Sequence, residues 1–547
     1  MLGTFNWWRD GIIYQIYPRS FSDSNGDGFG DLAGITARLD YLVDLGIDAI
    51  WLSPFYPSPD ADFGYDISDY TAVDPRFGSM SDFDHMLLQA HQRGIRVVLD
   101  MVLNHTSDQH AWFLESRSSR ENPKRDWYIW REPAPGGRPP NNWQASFGGS
   151  AWEFDPKTGQ YYLHSFLKQQ PDINWRNPDA RKAQMNVFRF WLERGVDGFR
   201  LDVFNAYFKD AQFRNNPAQF GLRAFDRQKH VYDMNQPEMT GLLQELRELL
   251  DSYPERYSVG ETYVTSLEKT IGYMGDDRLH AAFSFDFFDS DLVFPWRSDW
   301  LLERINRREM LFERAAAWPT TVLSNHDKPR TASRYARGEQ DHQALIAMTL
   351  LLTLRGTPFM YYGEEIGMRD VALNRDEIMD PPGKKYWPIY KGRDGCRAPM
   401  QWTNAVFAGF SSAQPWLKVH PDYVHRNVVA QQADPNSLWN FTRRLITLRR
   451  THPALRQGTF RVIFRADTGV LGYERTLADI AGKPQRILVY MNFTGQPALI
   501  SFVPDASPET ATILLGNASR QGFLAPNQQF ELYPYEVLLL EVKSAAV

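Results

Sequence analysis

Apolar positions along the chain follow two rhythms. Short apolar, β-branched or aromatic runs occupy 11–18 (GIIYQIYP), 47–54 (IDAIWLSP), 95–103 (IRVVLDMVL), 196–203 (VDGFRLDV), 257–262 (YSVGET), 281–287 (AAFSFDF), 319–327 (PTTVLSNHD) and 357–366 (TPFMYYGEEI). Such short continuous runs read as strands buried on both faces. Between them the spacing turns helical. Ile35, Leu39, Leu42 and Val43 share a face over 34–45, as do Phe188, Trp191 and Leu192 over 180–193. Further helical stretches fall near 79–93, 238–251, 299–315, 340–355 and 437–452. Eight strands alternating with helices require parallel crossovers, and eight is the number that closes a (β/α)8 TIM barrel, so an α/β fold is predicted.

Two segments break the alternation. Residues 105–174 carry Pro, Gly, Asn and Trp clusters (GGRPPNNW, FGGSAW) over far more chain than an ordinary connection needs. After about residue 457 the runs alternate instead, at 459–464 (TFRVIF), 487–492 (ILVYMN), 498–503 (ALISFV) and 536–542 (EVLLLEV). The expected organisation is therefore a barrel domain from 1–104 and 175–457, an inserted domain over 105–174 above the barrel mouth, and a C-terminal β-sandwich over 458–547.

Composition narrows the function classes. Asp plus Glu number 66 against 60 Lys plus Arg, a net charge of −6 over 547 residues. So mild an acidity, with no basic tail, argues against nucleic acid as a partner, because phosphate binding takes clustered Lys and Arg to displace counterions. It disfavours an anionic polymer substrate as well. No apolar run approaches the roughly 20 residues of a membrane helix, so no membrane partner is expected. A single cysteine, Cys396, leaves no intrachain disulfide, and MLGTFNWWRDG has neither the charged nor the apolar region of a secretory signal. A cytoplasmic monomer or homodimer is the expectation. Aromatic residues make up 14% of the chain, and such rings fill cores but also stack on sugars and bases.

Barrel enzymes carry their chemistry at the carboxyl ends of the strands. Here Asp100, Asn104 and His105 end the third run, Arg200 and Asp202 the fourth, Glu261 the fifth, and Asn325, His326 and Asp327 the seventh. One such carboxylate alone is commonly a helix cap or half of an ion pair. Four acids, two histidines and an arginine at one face of a barrel converge near its axis, where like charges raise one another's pKa. Glycoside cleavage needs two carboxylates around an oxocarbenium-like transition state, one protonating the leaving oxygen and one attacking or stabilising the anomeric carbon. No HExxH, P-loop, GxSxG elbow or dinucleotide GxGxxG stands at a strand-to-helix junction. Carbohydrate chemistry is the reading that uses every piece.

DMVLNH (100–105), QPDINW (170–175), GVDGFRLDV (195–203), SVGET (258–262) and LSNHD (323–327) resemble, in order, the signature regions of the α-amylase family, glycoside hydrolase family 13. GYDISDY (64–70), YYGEEIGM (361–368) and RDGCRAPMQW (393–402) extend the resemblance over nearly the whole chain, nearest to the bacterial α-glucosidase and oligo-1,6-glucosidase branch. The resemblance implies a TIM barrel, an inserted domain after the third strand and a C-terminal β-sandwich. It implies Asp202 as nucleophile, Glu261 as general acid/base and Asp327 as the carboxylate that holds the sugar 2- and 3-hydroxyls. The activity implied is that of a retaining, exo-acting α-glucosidase that releases or transfers terminal α-glucose through a covalent glucosyl-enzyme. Glu261 is then expected to have a raised pKa beside two anionic neighbours. Arg200, two residues before Asp202 on the same strand face, is expected to keep the nucleophile ionised. Asp66, His105, His326 and Arg397 match the family's ligands of the terminal glucose. Phe166, just before QPDINW, is expected to lay a ring against the sugar, while Trp112, Trp143, Trp152 and Trp175 are expected mostly to pack the core. Non-catalytic barrels of the family, such as amino-acid transporter heavy chains, lose catalytic carboxylates and carry a membrane helix; here all three acids are present.

Linkage is less legible. Val203 follows the nucleophile, and in this branch Val there accompanies α-1,6 cleavage whereas Thr accompanies strict α-1,4 cleavage. The long connection from 203 to about 237 points the other way, resembling bacterial α-glucosidases that act on short α-1,4 glucosides and transfer glucose to small alcohols. Maltose-type substrates are favoured with isomaltose-type ones open, and the motifs separate sucrose isomerases and amylosucrases from this branch poorly. In DSNGDGFGD (23–31), Asp23, Asn25, Asp27, the carbonyl of Phe29 and Asp31 alternate on a Gly-bearing loop, as oxygen ligands do around a hard cation. Gly34 at the twelfth position excludes an EF-hand. The resemblance implies a structural Ca2+ or Mg2+ there, remote from the chemistry, and no organic cofactor. Cys396, beside Arg397, is expected to be inert packing.

Overall fold

The computed structural model describes residues 5–285, 287, 296–335, 341–464, 469–478, 484–501, 509–520, 522–525 and 528–544. Residue 286 of the sixth apolar run, residue 340 of the helix expected at 340–355 and residues 502–503 of the run 498–503 lie outside them. The eight runs become eight strands: Ile13–Ile16, Ala49–Leu52, Arg96–Met101, Gly198–Leu201, Tyr257–Gly260, Ala281–Ala282, Thr320–Val322 and Thr357–Tyr361. Each pairs in parallel with the next in the chain, except across the sixth and seventh, and the eighth returns to pair with the first, with Ile13 opposite Phe359. Between the sixth and seventh strands a side chain makes the closure. The Thr320 hydroxyl donates to the Ala282 carbonyl and accepts from the Ser284 amide, both at 3.2 Å. Strand residues alternate between two cores, as the period of two requires. Ile13, Ala49, Trp51, Val98 and Phe359 fall in one cluster, while Ile50, Leu52, Leu99 and Leu201 pack with the surrounding helices.

The helix expected over 34–45 is two helices, Leu32–Ala37 and Leu39–Leu45, broken at Arg38 with φ −104° and ψ 4°. Ile35, Leu39 and Leu42 are buried on both sides of the break, while Val43, at the edge of that face in the second helix, lies 43% exposed. Gly46 then ends the second helix at φ 98°, a left-handed cap that costs glycine nothing. Phe188, Trp191 and Leu192 are buried on Pro178–Glu193, as their spacing predicts.

The chain leaves the barrel after the third strand and returns where His105 and Asp172 form an antiparallel bridge. Between them, Gln160–Leu163 is the centre of a three-stranded antiparallel sheet flanked by Trp130–Arg131 and Trp152–Asp155. Trp143, Trp152 and Trp175 are buried, and Trp112 packs edge-on against Trp127, so these rings do serve packing. C-terminal to the barrel, Thr459–Phe464, Val470–Leu477, Gln485–Asn492, Val537–Ser544, Glu509–Gly516 and Phe523–Leu524 form an antiparallel sheet in that order. Ala498–Ser501 pairs with Gln529–Leu532 and contributes Ile500 and Leu532 to the same apolar cluster as Leu538 and Leu540. Among the described residues no helix is long and apolar enough to cross a membrane.

Candidate active site

Strand register builds the site. Asp100 lies opposite Arg200, and Leu201 opposite Gly260, so the next residues out, Asp202 and Glu261, leave adjacent strands side by side. Their amides continue the ladder: Asp202 donates to the Met101 carbonyl at 3.0 Å and Glu261 to that of Leu201 at 2.9 Å. Arg200 is fully buried and joins all three carboxylates. Its Nη1 donates to Asp100 at 2.6 Å and to Asp202 at 2.7 Å, and its Nη2 donates to Glu261. The guanidinium also lies 5.1 Å from the Trp51 ring centre.

Burial separates the acids' behaviour. Desolvation pushes Glu261 up to about 8 against the pull of Arg200, with Asp202, Asp327 and Asp100 adding repulsion. Asp100 is pushed up to about 7 by burial, again opposed by Arg200 and reinforced by Asp202. Asp327 goes the other way. Burial disfavours its charge, but His326, Arg393, Arg397 and Arg200 outweigh that and hold it below the usual carboxylate range. Burial also drops His326 to about 3, so at neutral pH the imidazole is uncharged and the arginines carry the effect on Asp327.

Arg397 donates from Nη2 to Asp327 Oδ1 at 2.8 Å and from Nε to the His326 carbonyl at 2.8 Å, while Arg393 reaches the same Asp327 oxygen at 3.2 Å. The His326 ring is engaged at both nitrogens, with Gln15 Nε2 at 2.7 Å and the Tyr65 hydroxyl at 2.6 Å. Tyr65 in turn donates to Asp100 at 3.0 Å. His105 contacts the Tyr65 carbonyl at 2.9 Å and Gln170 at 3.1 Å. Phe166 is partly buried, its ring 5.3 Å from that of His105 and 5.7 Å from that of Phe147.

Asp66 falls elsewhere than its motif suggests. It is buried and spends its carboxylate on the Ser58 hydroxyl and the Ala61 and Asp62 amides, at 2.9, 2.9 and 3.0 Å, which makes it the organiser of a turn. The residue that this turn presents to the other acids' network is Asp62, which accepts from Arg393 at 2.6 Å and from Gln170 at 3.2 Å. Asp62, Tyr65, Gln170 and Arg393 are the site residues that motif reading missed. The signal was near, since each lies within, or within two residues of, a segment singled out for chemistry. Val203, after Asp202, has φ 34° and ψ 40°, a left-handed conformation that is an outlier for a β-branched residue.

The loop 23–31 is folded by its own oxygens. Asp23, Asn25 and Asp27 each accept the amide two residues on, at 3.0, 2.9 and 2.8 Å, and Asp31 caps the following helix through the Gly34 amide at 2.6 Å. Among the described residues no group of three or more His, Cys, Asp or Glu is gathered to hold a metal ion. Cys396 is buried and donates to carbonyls, and burial pushes its thiol well above the ordinary range, which fits inert packing.

Known proteins resemble this chain in sequence and fold. A family model described as the catalytic domain of alpha amylase matches residues 15–458. A probable alpha-glucosidase of Rhizobium meliloti (strain 1021) is 46% identical, covering 86% of this chain and 87% of the relative. An oligo-1,6-glucosidase of Parageobacillus thermoglucosidasius is 40% identical over 93% of this chain and 94% of its own. The crystal structure of an alpha-glucosyl transfer enzyme superposes with a TM-score of 0.90 at 42% identity, covering 99% of this chain and 100% of that one. With the barrel closed, the inserted sheet after its third strand and three carboxylates gathered around Arg200, the chain belongs to the α-amylase family of glycoside hydrolases.

Proposed function

We propose that the protein is a retaining, exo-acting α-glucosidase that takes terminal α-glucose from short α-glucosides, maltose-type ones foremost, and passes it to water or to a small hydroxyl acceptor. The observation that carries this reading is the Arg200 bridge between Asp202 and Glu261, with Glu261 still protonated at neutral pH. Glu261 gives its proton to the glycosidic oxygen as the C1–O bond breaks, and Asp202 forms the new bond to C1. Glu261, now a carboxylate, takes the proton of the incoming water or alcohol, whose oxygen displaces Asp202 and restores the α-configuration. Asp327, kept ionised by Arg393 and Arg397, accepts from the sugar 2- and 3-hydroxyls. Asp62, together with His105, His326 and Arg397, completes the pocket for the terminal glucose, and Phe166 supplies a ring for its apolar face. The 46% identical probable alpha-glucosidase and the alpha-glucosyl transfer enzyme support both halves of the activity.

A second reading, oligo-1,6-glucosidase, is favoured by Val203 and by the 40% identical relative of that name. An NMR time course on maltose and isomaltose with a small alcohol present separates the two. Loss of maltose with an α-glucoside of the alcohol as first product supports the proposal; loss of isomaltose alone replaces it with the second reading; a β-configured first product overturns the retaining mechanism. A structural Ca2+ or Mg2+ on the 23–31 loop is a separate proposal, and it requires the oxygens of Asp23, Asn25, Asp27, Phe29 and Asp31 to close around the ion.

A further inference from the structure

The ladder between the fourth and fifth barrel strands ends where Glu261 donates to the Leu201 carbonyl. Beyond it the fourth strand turns away through the left-handed Val203 into a 3-10 turn, Phe204–Ala206, so no strand backbone remains opposite Tyr263. The side chain of Asn205 stands in for it. Its Oδ1 accepts the Tyr263 amide at 2.8 Å and its Nδ2 donates to the Tyr263 carbonyl at 2.7 Å. A primary amide carries the same donor and acceptor as a peptide group, so this pair reproduces one rung of a ladder. Asn205 is fully buried, three residues after Asp202, and Tyr263 is two residues after Glu261.

The turn that bears Asn205 is held from two further directions. Nδ2 also reaches Asn235 Oδ1 at 3.0 Å, and the Asn235 amide donates to the Asn205 carbonyl at 2.7 Å, tying in the long connection after the fourth strand. On the other side, buried Lys209 donates to the Ala206 carbonyl and pairs with Asp172 at 2.9 Å. A β-branched residue at φ 34° persists only where its surroundings over-determine it, and these contacts do so.

We infer that Asn205 is a positioning residue: its amide sets the register between the strand end bearing Asp202 and the one bearing Glu261, so that proton donation and attack on C1 reach the same substrate. The inference deepens the function proposed above and rests on it. Register matters most where the leaving group needs a proton as the bond to C1 breaks.

The test compares kcat/KM on maltose with kcat/KM on α-glucosyl fluoride, whose leaving group needs little protonation, for wild type, Asn205→Ala, Asn205→Asp and Asn235→Gly. Asn205→Ala removes both contacts; Asn205→Asp keeps the acceptor but sets an oxygen against the Tyr263 carbonyl. Both should lose about 100-fold on maltose, the scale of a 1 Å misplacement, and less than about 10-fold on the fluoride. Asn235→Gly keeps the left-handed backbone and should retain the wild-type ratio between the two substrates. Equal losses on both substrates, or no loss on either, would overturn the inference. So would failure of both Asn205 variants to fold, since Asn205 would then hold the fold rather than the register. A wild type that cleaves neither substrate would instead sink the functional reading, and the inference with it.

Discussion

Arg200 donates through one nitrogen to Asp202 at 2.7 Å and through the other to Glu261, so a single guanidinium spans the two carboxylates of adjacent strand ends. Planarity makes that possible, and lysine, a point charge on a flexible stem, has no such fork. Arg200→Lys should therefore lose about 10^2- to 10^3-fold in kcat/KM on maltose with a much smaller change in KM, as expected when preorganisation rather than binding is lost. Steady-state kinetics would show it, and a purely KM-based loss would contradict it.

Glu261 must carry a proton to act as an acid, and burial raises it to about 8. The alkaline limb of kcat/KM is expected to fall with a midpoint near 8. The same shift has a stability sign. A carboxyl raised on folding binds protons more tightly in the native state, so its favourable contribution is complete below its ordinary value of 4.5 and drains away as pH rises toward 8. Glu261→Gln, fixed in the neutral form, should gain thermal stability relative to wild type, with a margin that widens between pH 5 and pH 9. Thermal melts across that range would check it; a margin that narrows with pH would refute the assignment.

Asp62 and Asp66 are four residues apart and should fail differently. Asp66→Ala strips the acceptor from three donors and should cost about 1–3 kcal/mol of folding stability while the surviving folded enzyme keeps its KM. Asp62→Ala should melt closer to wild type but raise KM for small glucosides at least tenfold. Paired melts and kinetics on both variants separate the roles, and exchanged phenotypes would reverse them.

Val203 is buried beside the nucleophile. Val203→Thr should raise the ratio of maltose to isomaltose turnover several-fold, read directly from a mixture of the two sugars. An unchanged ratio would transfer the linkage preference to the 203–237 connection.

The cation proposed for residues 23–31 predicts a thermal midpoint that falls by a few degrees in EDTA and returns with Ca2+ or Mg2+, while kinetics below the transition stay unchanged. Identical melts with and without chelator would remove the ion from the account.

Much of this was legible beforehand for physical reasons. Strands buried on both faces leave continuous apolar runs, and catalytic acids must follow them directly, so Asp202, Glu261 and Asp327 announce themselves by position. Helix breaks do not: Arg38, at φ −104° and ψ 4°, divides the helix while Ile35, Leu39 and Leu42 stay buried across it, so the apolar pattern carries no mark of the break. Asp62 stands two residues before the motif that holds Asp66 and has the same chemistry, and only the path of the turn decides which one faces Arg393. Asn205 was invisible because its role is to replace a backbone that has turned away.

Cys396 is the sole thiol of the sequence. It donates to the Arg393 carbonyl at 3.0 Å and to the His326 carbonyl at 3.4 Å, on the same short segment that carries the two arginines gripping Asp327. A thiol so enclosed reacts with an alkylating reagent only after the segment around it swings open. The rate of Cys396 labelling should therefore report how often the segment carrying Arg393 and Arg397 opens, and a sugar held by Asp327 should slow it, without any probe being engineered.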